Sequence, residues 1–109
     1  MAWLPDIVQA DLLVARKARD EHAVTALRTL LAALANAEAP PAPPTSSLDP
    51  KVLGTNEVDR LVLTEDDHRR ILDEQIEIRE DAAEEYDALG QTAAADRLRA
   101  EGAVLQRYR

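Results

Sequence analysis

Four of the five positions from Pro40 to Pro44 are proline, and they follow directly on "LRTLLAALANAE", Leu27 to Glu38, the most regular apolar stretch of the chain. Proline fixes φ near −65° and donates no backbone hydrogen bond, so a helix has to stop here. The segment "APPAPPTSSLDP", Ala39 to Pro50, favours extended polyproline II and reads as a semi-rigid spacer. The chain is thereby divided into two arms, 1–39 and 64–109, with 40–63 between them. At 109 residues, one modest core is all the chain can build.

Both arms carry helical periodicity. Pro5 suits an opening helical turn, where no N–H is required, and Ile7, Val8, Asp11, Val14, Ala15 and Ala18 then recur at three- and four-residue intervals. The spacing predicts one apolar stripe with Asp11 on or beside it. Asp20 reads as the N-cap of a second helix from Glu21 to Ala37, with Val24, Leu27, Leu31 and Leu34 on one face and Ala23, Ala26, Leu30 and Ala33 beside it. That surface is wide enough to be covered on two sides. Beyond the spacer, Leu61 to Leu63 suit a short extended turn, and Thr64 caps a third helix whose first turn holds Glu65, Asp66 and Asp67. Leu72, Ile76, Ala83 and Tyr86 form one stripe of that helix with Arg79 inside it, and Ile71, Ile78, Ala82 and Leu89 form a second. Gly90 stops it, and a last helix runs from Thr92 to Tyr108 with Ala94, Ala95, Leu98, Leu105 and Tyr108 inward. With one Trp, two Tyr and no Phe, the core has to be aliphatic, which suits helix packed on helix. The expected fold is all-α: a single four-helix domain, 1–109, built from two helical pairs joined by the Pro-rich spacer.

Composition excludes several functions. There is no cysteine, hence no disulfide, thiolate metal site or Cys nucleophile. No stretch approaches ~18 apolar residues and the start lacks a basic lead with an apolar run, so a cytoplasmic protein without membrane contact is expected. The net charge of −8 is concentrated in Thr64 to Arg109, where seven basic residues face thirteen acidic ones, a balance that repels phosphate backbones. No dinucleotide, P-loop, nucleophile-elbow or H-E-x-x-H motif occurs, so neither catalytic residues nor a cofactor nor a metal is expected. "EDDHRR", Glu65 to Arg70, reads as a helix start, because consecutive helical side chains diverge by about 100°. His22 reads as solvated or lightly packed. The carboxylates from Asp73 to Asp87 read as an outward face, with Glu74 and Glu77 near Arg70 for ion pairs. "ARKARD", Ala15 to Asp20, is the one basic patch: Arg16, Lys17 and Arg19, with Arg28 across the pair, are the candidate contacts to RNA phosphate or an acidic partner. A solvated helix end, where cations suit the dipole, explains the same residues without a partner.

Residues 15–38 and 69–108 resemble the YqeY-like proteins of the GatB/YqeY family. The first match is "ARKARD" followed by "LRTLLAALANAE", a basic stretch and then a Leu/Ala helix with Arg28, Asn36 and Glu38 in register. The second is "REDAAEEYDALGQTAAADRLRAEGAVLQRY", with Arg79, Asp81, Glu84, Glu85, Tyr86, Gly90, Glu101, Leu105 and Tyr108 at the matching positions. The resemblance implies a helical domain similar to the tail of the B subunit of the tRNA-dependent amidotransferase, a module also appended to some glutaminyl-tRNA synthetases. It implies a non-catalytic accessory role in tRNA amidation, a carbon–nitrogen ligation with glutamine as amido donor, or in tRNA charging. Its implied partners are tRNA or an amidotransferase or aminoacyl-tRNA synthetase component. Family members have a shorter, more charged connection in place of the proline segment and continue past the position of Arg109 into a second small helical domain. If that second domain carries the RNA contact, a short form is expected to retain only the protein-facing half. An independent glutamine-using enzyme would follow from the family label alone, but no glutaminase nucleophile or nucleotide loop accompanies it. The alternative from the residues themselves is a helical protein-interaction or dimerisation module unrelated to tRNA.

Overall fold

The computed structural model describes residues 3–39 and 62–109. Among the described residues there are four helices and no strand: α1 (Leu4–Ala18), α2 (Glu21–Glu38), α3 (Glu65–Ala88) and α4 (Thr92–Gln106). The fold is the expected all-α four-helix domain. The proline-rich spacer and Leu61 lie outside the described residues; of the turn expected beside it, Val62 is exposed and Leu63 is buried.

Local chemistry explains where each helix begins and ends. Pro5 occupies the first turn of α1, and Asp20 caps α2 by accepting the Ala23 amide at 3.2 Å. At α3 the cap is reciprocal: Thr64 Oγ1 accepts the Asp67 amide at 3.1 Å, and Asp67 Oδ2 accepts the Thr64 amide at 2.9 Å. The Thr64 amide is the main reason the Asp67 carboxyl is held below its ordinary value. α1 and α3 end in the same way. Arg19 at φ 56° sends its amide to the Arg16 carbonyl while the Asp20 amide reaches Ala15; Gly90 at φ 75° sends its amide to Asp87 while Gln91 reaches Tyr86. Each left-handed residue closes two orphan carbonyls and turns the chain straight into the next helix.

α2 is the centre of the packing. It lies against α1, α3 and α4, and Ala26, Leu27, Leu30 and Leu34 are essentially shut from solvent. Each leucine so buried contributes roughly 1.5–3 kcal/mol. Val8, Leu12 and Ala15 of α1, Ile71, Leu72 and Ile76 of α3, and Val104 and Leu105 of α4 complete the core. The inward stripe of α1 keeps Val8 and Ala15 of the expected set and takes Leu12 in addition. Val8, Leu12 and Ala15 face α2, whereas Ile7 is at the edge and Val14 is 65% exposed. Two stripes one residue apart both satisfy the helical period, and burying Leu12 in place of Val14 places the larger side chain on α2. α3 also departs from its two-stripe reading. Ile71 is buried, but Ile78, Tyr86 and Leu89 are exposed, the last by 70%. At 24 residues, roughly 36 Å, α3 outruns the 18-residue α2, so beyond Arg79 the small Ala83 and Ala95 carry the packing with α4. α4 itself ends at Gln106, and its inward side includes Glu101 and Gly102 as well as Ala95, Val104 and Leu105; Ala94, Leu98 and Tyr108 are only part-buried.

The chain's end is tied back to its first helix. Tyr108 donates its hydroxyl to Asp11 Oδ2 at 2.6 Å, which accounts for a carboxylate beside the apolar stripe of α1. Arg109 pairs with Asp73 at 2.8 Å, and Arg99 pairs with Asp87 across the α3–α4 turn and with Asp96 on its own helix.

Two outcomes follow from these joints. Arg19→Gly, removing a Cβ from a left-handed position, will raise stability by about 0.5–1 kcal/mol in chemical denaturation. Burial, and then the bond to Asp11, hold the Tyr108 phenol above its ordinary value near 10. Above that pH the unfolded chain has lost a proton that the folded one keeps, so stability falls as pH rises. Tyr108→Phe will flatten this alkaline slope in melts taken between pH 9 and 11.

Candidate functional site

The four candidate cations are all exposed. Arg16 and Lys17 occupy the last turn of α1, and Arg19 forms the left-handed corner one step later. Among the described residues none of the four is in an ion pair. Arg28 stands further along α2, eight positions past the Asp20 cap or roughly 12 Å of helix rise. Three cations thus share the corner and the fourth is set apart. Folding adds one that the sequence did not suggest: Arg107, just past α4, lines a groove with Asp11, Val14, Ala15, Ala18 and Asp20 beneath the corner. Nothing in the local sequence of Arg107 signals this, because the approach depends on how α4 crosses the first pair.

The acidic residues take a different place. Glu74, Glu77, Glu80, Asp81, Glu84 and Glu85 are exposed along α3. Arg70 pairs with Asp67 at 3.6 Å and with Glu74 at 3.4 Å, while Glu77 is not among its partners. Such surface pairs contribute little to stability. Among the described residues no group of three or more His, Cys, Asp or Glu is placed to hold a metal ion. No helix among the described residues is long and apolar enough to cross a membrane.

Two charged or polar groups lie inside. Arg79 and Glu101 are 5% and 7% exposed and meet at 3.3 Å between Nε and Oε1. The guanidinium also donates to the Gln75 carbonyl at 3.1 Å and to Gln75 Oε1 at 3.2 Å. Placing Arg79 on an apolar stripe was legible in the periodicity; its partner was not, because Glu101 reads alone as one more surface carboxylate. His68 is the clear correction to the reading of "EDDHRR" as a plain helix start. The helix does begin there, but the imidazole is buried, packed edge-on against Trp3, with Nε2 lacking any hydrogen-bond partner. Its position at the fourth residue of α3 puts it on the same face as Ile71 and Leu72, a periodicity the surrounding charges obscure. His22 is exposed, as expected.

The residues of the family resemblance divide between structural joints and the exposed surface. Arg79 and Glu101 form the internal pair, Leu105 is core, Gly90 makes the left-handed turn and Tyr108 holds Asp11. Asp81, Glu84, Glu85 and Arg28 face solvent. Compared with family models, with curated proteins and with solved structures, the chain matches none.

The internal pair generates a test. Glu101→Leu alone strands a guanidinium in the interior and will lower stability by about 3–5 kcal/mol. Joined with Arg79→Met it will recover most of that loss, measured by urea unfolding of the two variants and the double variant.

Proposed function

We propose that the chain is a non-catalytic accessory module similar to the tail of the B subunit of the tRNA-dependent amidotransferase, serving tRNA amidation or tRNA charging beside catalytic partners. The observation that carries this reading is the corner of α1 and α2. In a chain of net charge −8, Arg16, Lys17 and Arg19 are gathered at one exposed corner without intramolecular ion partners among the described residues. Cations left uncompensated in this way are available to phosphate, whereas the carboxylates of α3 turn a phosphate backbone away from the opposite arm. The two ionisable groups drawn fully into the α3–α4 interface neutralise one another, so their chemistry is spent on holding the helices together. The resemblance adds the RNA context, through residues some of which serve here as joints of the fold and others of which face solvent.

A second reading is favoured by Leu13 and Val14, which lie exposed on α1 next to the same cations. An apolar pair beside positive charge suits an acidic protein surface, and the chain is then an interaction or dimerisation module.

Titration of labelled tRNA at two salt concentrations separates them. On the RNA reading, log K falls with log salt with a slope of about −2 to −3, as expected for three phosphate contacts, and the triple change Arg16→Ala, Lys17→Ala, Arg19→Ala abolishes binding. Absence of binding at low salt removes direct RNA contact. Loss of a protein complex on Leu13→Glu, with no RNA bound, supports the second reading.

A further inference from the structure

At the opposite end of α1 from the basic corner lies a cavity of about 180 Å³, between the start of α1, the first turns of α3 and Tyr108. Trp3, Leu4, Ile7 and Leu72 give it apolar walls. His68 also lines it, 3% exposed, with Nε2 bonded to nothing. A buried polar atom without a partner is costly to a fold, and it is rare in native structures unless something else completes it. We propose that this cavity binds a small neutral aromatic molecule bearing one hydroxyl, whose ring fills the apolar walls and whose hydroxyl bonds Nε2 of His68.

Size, chemistry and access each restrict the ligand. An apolar cavity of about 150 Å³ takes up benzene, so 180 Å³ admits a single substituted ring and little more. The walls already favour aromatic contact, since the Trp3 and His68 rings meet edge to face with centroids 4.3 Å apart. A hydroxyl both donates and accepts, so it complements Nε2 in either neutral tautomer of the imidazole. The two charged side chains on the lining, Glu65 and Arg69, are opposite in sign and favour neither an anion nor a cation. Nε2 is closed off from solvent and the Trp3 ring packs on the imidazole, so binding requires Trp3 to shift. That residue is 40% exposed and anchored through its carbonyl, which accepts the Asp6 and Ile7 amides, so its indole turns aside without breaking a hydrogen bond. The site is independent of the cation corner and of any RNA contact there.

The test is a titration of the ¹⁵N-labelled protein with 4-methylphenol and, separately, with toluene, following the His68 imidazole nitrogens and the fluorescence of Trp3, the only tryptophan. The expected result is saturable binding of 4-methylphenol with a Kd of about 1 mM or tighter, about tenfold tighter than toluene, and a shift of His68 Nε2. His68→Phe keeps the ring and removes the nitrogen, so the two probes bind it equally. Should that variant fail to fold, Ile7→Trp, which fills the cavity from its edge, abolishes binding of both probes while circular dichroism stays helical. No saturable change with either probe, equal affinities in the parent protein, or unchanged binding to Ile7→Trp overturns the proposal.

Discussion

The structure depends on one helix being enclosed by the others. α2 has alanine and leucine wherever a neighbour must approach, and it packs broadly against all three remaining helices. α1 is held mainly by α2, and the α3–α4 hairpin reaches the first arm chiefly through the same surface. An α2 leucine cut to alanine would therefore open a void shared by two interfaces, where the lost transfer energy and the cavity add to about 2–5 kcal/mol. The small residues Ala23 and Ala26 matter as much, because they let helices approach without a gap.

The second constraint is electrostatic and sits where that aliphatic packing runs out. Arg79 follows Ile76, part of the core, and precedes Ala83, which packs outside it. Its pairing with Glu101 fixes the rotation of α3 against α4 at the point where α2 no longer does so. A leucine pair there would pack in several registers, while a guanidinium with a carboxylate and Gln75 as partners accepts few. Beyond this point the hairpin is a thin two-helix projection edged by carboxylates and exposed Leu89.

Much of this was legible in the sequence, and the remainder was hidden for identifiable reasons. Asp20, Thr64 and Gly90 announce helix ends because capping is local chemistry, confined to four or five residues. The leucines of α2 announce burial because they cover more than one face. The reading of α1 mixed two neighbouring stripes, because Val8, Leu12 and Ala15 and the set Ile7, Asp11, Val14 and Ala18 have the same period, and only the neighbouring helix decides between them. Glu101, Arg107 and His68 were missed for a different reason. Arg107 and His68 stand among polar neighbours and Glu101 between Ala100 and Gly102, and the role of each comes from a group distant in sequence: the first helical pair, Trp3 and Arg79.

The bond from Tyr108 to Asp11 joins positions 97 apart. Closing so long a loop is entropically late, so α1 and the end of the chain meet only after the two hairpins have formed and docked. Interactions made after the rate-limiting step leave the rate of folding almost untouched and slow the reverse reaction instead. The phenol and its carboxylate therefore add to the lifetime of the native state, on top of the hold of α2 on α1, more than to the speed at which the protein is made.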